Sequence, residues 1–479
     1  MIALGLRELA GVVGGRLADA TGDEVVTGAA TLDSREVPAG GLFVAMAGEH
    51  VDGHDYAVGA HAAGAAAVLA ERATGAPSVL VDDVTAALGL LARHVRDRLP
   101  DATVLALTGS QGKTGTKDYL AAVLDHAARA AGRTGPDVTV ATRGNLNNEL
   151  GVPLTVLRAT EDTRHLVVEM GARGVGHIRL LCDVARPDAA AVLNVGSAHL
   201  GEFGSVEAIA QAKGEIVEQL APTGTAVLAA DDPRVAPMAS RTRARVLSFG
   251  GPGADVAGEV LTTDDRGRAT FALTHAGATH EVALALPGRH QVANATAAVA
   301  LALAAGADLA EAAAGLRAAR PDSRWRMEVA ERADGVTVVN DAYNANPASV
   351  RAALDTLADM TASGRRGVAV LGEMKELGDG AAQAHHEVGA HAGRRGVAVV
   401  VAVDAEAGGP AAGLADGAER AGARVVRTAG RDEATAWVRQ NVLPGDVVLV
   451  KASRGVALEH LAQALLDTPA PTTKEGDLG

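Results

Sequence analysis

Residues 103–114 read Thr-Val-Leu-Ala-Leu-Thr-Gly-Ser-Gln-Gly-Lys-Thr. The apolar run from Thr103 has the composition of a buried strand that continues to Thr108. Gly109, Ser110, Gln111 and Gly112 make a turn, and the amphipathic stretch opening at Lys113 predicts a helix reaching Ala131. A strand, a glycine turn and a helix beginning Lys-Thr form a cradle for nucleotide phosphates. Backbone N–H groups and the helix dipole bind the oxygens, the lysine supplies a point charge, and the threonine hydroxyl can ligate magnesium. Counting back from Lys113, the first glycine of the full Walker pattern would fall at Leu107, so this is a shortened loop that fits fewer families.

Working outward, strand-like runs alternate with helical stretches: Thr103–Thr108, His165–Glu169, Ala189–Asn194 and Thr225–Leu228 are the strands expected after the loop. That alternation predicts a parallel sheet with right-handed crossovers. A strand-rich stretch, Asp255–Leu286, precedes alanine-rich helices over His290–Ala319. Beyond a linker at Arg320, Pro321 and Asp322, runs at Val336–Asn340, Gly367–Leu371, Val397–Val403, Arg424–Val426 and Asp446–Val450 predict a second doubly wound unit. The first hundred residues carry shorter runs at Leu42–Ala45, Ala66–Leu69 and Ser78–Val81 and end near Pro100. The expected class is α/β with three domains: a mixed α/β domain over 1–100, a central phosphate-loop parallel-sheet domain over 101–319, and a Rossmann-like domain over 320–467. The tail 468–479, rich in Pro, Thr and charge, is expected to be disordered.

Bulk properties agree with a globular protein. The chain has 479 residues, too many for one core. Aromatics make up 2%, so Ala, Val and Leu must fill the interior. The net charge of −14, with no basic stripe, argues against a nucleic-acid partner. Cys182 is the only cysteine, which excludes an intrachain disulfide and suits a reducing compartment. Arg7 and Glu8 interrupt the first apolar pattern, so no signal peptide is expected, and no stretch reads as a membrane span. A cytoplasmic protein is expected.

Several residues stand where chemistry is done. Glu169 ends an apolar strand, at the edge where parallel sheets hold ligands, and is placed to bind magnesium beside the phosphate loop. His199 follows the next strand in the same way. Lys213 falls near the centre of an apolar stripe formed by Val206, Ile209, Ala210, Ile216, Val217 and Leu220. Two readings of it stand equally: a lysine snorkelling to solvent, or a buried amine kept neutral that reacts with carbon dioxide to give a metal-ligating carbamate. Asn145, Asn147 and Asn148 are close enough to offer several amides to a sugar or phosphate, although Asn147 reads equally well as a helix cap. Asn346 before Pro347 is an N-cap by pattern, whereas Asp341 and Asn344 have no such structural reason.

Together these stretches resemble the Mur ligase family of ATP-dependent amide ligases that build the peptidoglycan stem peptide. The GSQGKT loop, Glu169, NVGSAHLGEFGSVEAIAQAKGEI, GRHQVANA (288–295) and KASRG (451–455) look like the family at large. TRGNLNNELGVPLTVL, NDAYNANPASVRAAL and LGEMKELG (371–378) with His385 look like its D-alanyl-D-alanine-adding branch. The resemblance implies that ATP phosphorylates the carboxylate end of UDP-N-acetylmuramoyl-tripeptide and that the amine of D-alanyl-D-alanine attacks the acyl phosphate.

Carried over by position, the resemblance implies roles for individual residues. Gly109, Ser110, Gln111, Gly112, Lys113, Thr114 and Gly115 should bind ATP, with Asn294 at the adenine. Asp341 and an arginine, Arg324 or Arg326, should reach ribose and phosphate, and Arg326 is the one assigned. Two Mg2+ sites are implied, held by Thr114, Glu169, His199 and a carbamylated Lys213. Lys451 and Ser453 should lie near the transferred group and count, with Lys113, among the catalytic residues. Ser34 and Arg35 should grip the uridine diphosphate, Asn145 and Asn148 the muramoyl portion, and Tyr343, Asn344 and Asn346 the substrate. The chain is expected to work as a monomer whose third domain closes onto the nucleotide. Gln111, where many relatives have Ser, Thr or Asn, and Gly41, where an acid is common, are the small departures. Rival readings are the branch that adds a diamino acid, folylpolyglutamate synthase, and a nucleotide-responsive regulatory protein.

Overall fold

Short apolar runs punctuated by glycine turns form four sheets, of nine, six, five and two strands. The computed structural model describes residues 1–48, 51–196, 200–320, 323–405, 408–409 and 411–467. The expected disorder of 468–479 therefore concerns residues outside this set.

The phosphate-loop strand, Thr103–Thr108, lies inside the nine-stranded sheet between Ala189–Val192 and His165–Glu169 and runs parallel to both. Register aligns Glu169 with Leu107 and Val192 with Thr108, so three strands end together at one carboxyl edge. Between their end residues all three are wholly apolar, as strands covered on both faces must be. The run expected to reach Asn194 leaves the sheet after Val192. Asn194 is then at liberty to turn toward the loop. The stretch 255–286 becomes three antiparallel strands, Val256–Thr263, Arg268–His275 and Ala278–Pro287, followed by helices His290–Ala304 and Leu309–Ala318. In this sheet two described strands go beyond those expected from the pattern: Thr139–Ala141 at one edge and Arg245–Gly250. The first is three residues long, and the second begins with exposed Arg245 and Val246, which hides its apolar character.

In the first hundred residues Ala30–Thr31, Leu42–Val44, Ala67–Ala70 and Ser78–Leu80 pair in parallel, and Arg16–Ala18 closes one edge antiparallel. The helix Val84–Asp97 starts where the Asp83 side chain accepts from Ala86 N–H. Its apolar face, including Leu88, Leu91 and Val95, packs on helices Gly151–Val156 and His177–Ala185 of the central unit. One apolar core therefore runs continuously from Met1 to Ala319.

The six-stranded sheet has the order 328–331, 337–340, 447–451, 367–371, 399–403, 424–428, with only the first strand antiparallel. A core covers each of its faces. Helices Ala381–Arg394 and Ala412–Arg420 approach so closely that a Cβ on Gly389 would run into the Leu414 carbonyl, and one on Gly417 into that of His386. Among the described residues no helix is long and apolar enough to cross a membrane.

The Gly389 contact sets a measurable cost. Overpacking a tight interface destabilises by about 1–3 kcal/mol, so Gly389→Ala should lower the urea midpoint of this unit accordingly. A midpoint equal to that of the native chain would mean that the two helices separate freely.

Candidate active site

A cavity of about 570 Å³ opens at the carboxyl edge of the nine-stranded sheet. Ser110 to Gly115, Asn145, Asn147, Asn148, Glu169, Lys213 and Asn294 line it from the central unit. Arg326, Asp341, Tyr343, Asn344, Asn346 and Lys451 line it from the third. The two units touch around it: Arg289 pairs with Asp359 at 2.9 Å, and Gly201 N–H reaches the Glu376 carbonyl at 3.4 Å.

The loop is held from both sides. Gln111 N–H donates to Asn194 Oδ1 at 2.9 Å, and Asn194 Nδ2 donates back to the Gln111 carbonyl at 3.1 Å. Gly112 has φ +78°, a left-handed conformation, and a Cβ there would collide with Asn294 Oδ1. Asn294 is itself oriented by its Nδ2 bond to Gln291 Oε1 at 3.0 Å. Lys113 Nζ donates to the Gly109 carbonyl at 2.8 Å, which folds the lysine over its own loop. Burial pushes its pKa down, and the Glu169 carboxylate opposes that shift.

Glu169 is 2% exposed, and both carboxylate oxygens are occupied. Oε2 accepts from the Thr114 hydroxyl at 3.0 Å, and Oε1 accepts from Asn147 Nδ2 at 2.8 Å. Because the Thr114 hydroxyl gives its proton to Glu169, the oxygen lone pairs of both groups face the loop as hard donors. One carboxylate and one hydroxyl are a donor set that suits magnesium, which takes its remaining ligands from phosphates and water. No group of three or more His, Cys, Asp or Glu able to hold a metal forms among the described residues, and His199 lies outside them.

Lys213 sits in helix Val206–Glu218, whose N-cap Ser205 accepts from Ala208 N–H at 3.1 Å. It is 3% exposed and has no hydrogen bond to another described residue, so the snorkelling alternative does not hold. Burial depresses its ammonium pKa strongly, and the positive Lys113 adds to the effect. Glu215, one half-turn on and fully buried, accepts from Gly176 and Arg179 N–H at 2.6 and 3.0 Å and so caps the helix His177–Ala185.

In the third unit Lys451, also 3% exposed, pairs with Asp341 at 2.5 Å and donates to the Asn344 carbonyl at 2.9 Å. Arg326 lines the cavity with its guanidinium 4.1 Å above the Tyr343 ring, whereas Arg324 is exposed and does not. Of the two arginines, Arg326 is the one that stands at the cavity. Ser453 faces a smaller adjoining cavity of about 220 Å³ shared with Ser110, Lys113 and Asn344. Asn346 is committed as a helix cap: its side chain accepts from Ser349 N–H in a capping box. Asn148 Oδ1 accepts from Gly151 N–H, which leaves only its amide N–H groups for a ligand. Ser34 and Arg35 stand apart from both cavities, and Arg35 is paired with Asp33 at 2.6 Å. Gly109 takes part only through its carbonyl. Sequence reasoning missed Asn147 as a partner of Glu169, the Asn194 clamp and Gln291. Of these only Asn194, following a strand, carried a usable signal.

Family models match the chain in three segments: the Mur ligase family catalytic domain over 29–96, the Mur ligase middle domain over 107–302, and the Mur ligase glutamate ligase domain over 325–454. The chain is 43% identical to the UDP-N-acetylmuramoyl-tripeptide--D-alanyl-D-alanine ligase of Mycobacterium tuberculosis, with 97% of this chain and 98% of that one covered. To the Escherichia coli protein of the same name it is 36% identical, with 97% and 99% covered. Among solved structures, MurF from Acinetobacter baumannii superposes with a TM-score of 0.83 at 31% identity, covering 97% of this chain and 99% of that one. The MurF ligase of Thermotoga maritima in complex with ADP gives 0.77 at 30% identity, with 92% and 98% covered.

The buried lysine generates a pH test. Its folded pKa lies below its unfolded value, so between the two the unfolded chain binds the extra proton and stability rises with pH. The penalty is complete below the folded pKa and vanishes above the unfolded value of about 10.4. In bicarbonate-free buffer Lys213→Met should therefore raise the melting temperature at neutral pH, with the gap closing toward pH 10. A gap independent of pH would show that folding does not depress the pKa of this amine.

Proposed function

The chain belongs to the Mur ligase family, and from that premise we propose that it uses ATP to join D-alanyl-D-alanine to the C-terminal carboxylate of UDP-N-acetylmuramoyl-tripeptide, a step of peptidoglycan stem-peptide assembly. The observation that carries this reading is the cavity walled by the phosphate loop on one side and by Arg326, Asp341 and Lys451 on the other. The ligand named in the Thermotoga structure supports ATP as the nucleotide.

An amide does not form from a carboxylate in water without activation. The tripeptide carboxylate attacks the terminal phosphorus of ATP, the bond to ADP breaks, and an acyl phosphate results. The dipeptide amine then attacks the acyl carbon, loses a proton, and the tetrahedral intermediate collapses with release of phosphate. Lys113 and the loop N–H groups hold the phosphates in line, so the protein's contribution is positioning and neutralisation of charge. Thr114 and Glu169 would hold Mg2+, which lowers the repulsion between the carboxylate and the triphosphate. Asn294, Arg326 and Asp341 serve the nucleotide. Lys451 and Ser453 border the transferred group, and Tyr343, Asn344 and the turn capped by Asn346 face the substrate. Asn145 and the amide N–H groups of Asn148 serve the muramoyl portion, and Ser34 and Arg35 the uridine diphosphate.

Lys213 supports a further element of this reading. A neutral buried amine adds carbon dioxide, losing a proton, to give a carbamate anion that would supply oxygen ligands to a second Mg2+, for which His199 is the other expected ligand. Substrates of this kind, a nucleotide-linked peptide and ATP, fit a monomer acting in the cytoplasm.

The assay is direct. Phosphate release from ATP should require both the tripeptide nucleotide and D-alanyl-D-alanine, and equal release without either would refute the reading. A free diamino acid serving as the acceptor in place of the dipeptide would shift the assignment to the sister branch. Lys113→Ala should lower kcat by about 10²–10³-fold, the loss typical of one preorganised donor, with melting unchanged. Lys213→Ala should lose activity and regain part of it with added short-chain carboxylates, and no rescue by any of them would remove the carbamate.

A further inference from the structure

The terminal torsion of a glutamate side chain is broad, so rotamer preference alone does not orient its carboxylate. At Glu169 orientation must come from partners. Thr114 supplies one, from the nucleotide side. The other comes from segment 142–150, which crosses the carboxyl edge of the sheet and is tied there repeatedly. Glu169 N–H donates to Thr142 Oγ1 at 3.0 Å, Lys117 Nζ to the Thr142 carbonyl at 3.0 Å, and Gly171 N–H to the Asn147 carbonyl at 2.7 Å. These bonds fix the backbone of residue 147 against the strand end, and its Nδ2 then meets Glu169 Oε1 at 2.8 Å. Room for that carboxamide exists because residue 171 is glycine: a Cβ there would stand 2.8 Å from Asn147 Oδ1.

We propose that Asn147 is a positioning residue that sets the angle at which the Glu169 carboxylate presents its remaining lone pairs to a nucleotide-bound divalent cation. An ionised carboxylate has about four acceptor positions. Asn147 and Thr114 take one on each oxygen from different directions, and the pair left over is held toward the cavity. The amide is a neutral donor, so it fixes direction without competing with the cation for charge. The same segment bears Asn145 and Asn148, which ties the metal carboxylate to the wall proposed for the sugar-peptide substrate. This inference rests on the reading that Thr114 and Glu169 hold magnesium.

Calorimetric titration of ADP, with and without Mg2+, into the full-length protein tests it. For Asn147→Ala the Kd of Mg-ADP should rise about 10–100-fold, the usual cost of losing the hydrogen bond that orients a metal ligand, while the Kd of metal-free ADP moves less than about twofold. Gly171→Ala, which crowds the carboxamide aside without deleting it, should reproduce the pattern and serves if the first variant does not fold. An unchanged Kd for Mg-ADP in both folded variants overturns the proposal. So does an equal fall with and without metal, which is the signature of a structural role only. If the native chain itself binds ADP equally with and without Mg2+, the metal reading of Glu169 fails first, and the proposal falls with it.

Discussion

A carboxylate at the end of a buried strand is the constraint around which the centre of this molecule is built. Glu169 is almost inaccessible, and leaving an ion of that kind unsatisfied would cost several kcal/mol. Its neighbours answer that demand by construction: the first turn of the phosphate-loop helix gives Thr114, and the segment after the edge strand gives Asn147. Parallel register makes both possible, because it brings the strand ends at Thr108 and Glu169 to one edge. The chemistry is thereby placed at the point where the backbone of three strands stops.

The third unit repeats this logic with the opposite sign. Lys451 ends a buried strand and is paired with Asp341, which directly follows the neighbouring parallel strand. The cavity thus has on one wall a carboxylate held by neutral donors and on the other an ammonium paired with a carboxylate.

Much of this arrangement is legible in the order of the residues alone. Strand, turn and helix around Gly109–Lys113 are local patterns, and Lys213 declares itself by standing on an apolar stripe. The N-cap at Asn346 is legible for the same reason, since caps are read within four residues. Asn147 is not, because its partner is 22 residues away and reached only through strand pairing. The choice between Arg324 and Arg326 also lies beyond local pattern. Trp325 and Met327 adopt left-handed backbone, with φ of +58° and +51°, so neither period two nor period 3.6 tells which side chain faces inward. The roles given to Ser34 and Arg35 rest on resemblance alone, for both lie in a turn apart from the cavities.

The unbroken core beneath helix Val84–Asp97 bears on how this chain can be cut. Severing it near Pro100 would strip Leu88, Leu91 and Val95 from their seat and bare the backs of two helices that carry the far side of the phosphate edge. The first two modules thus share one core, and bending between them would have to open it. A cut beyond Ala319 would instead part a lighter apposition, whose fastenings include two surface ion pairs, Arg289–Asp359 and Arg266–Glu331, and one long backbone bond from Gly201 to Glu376.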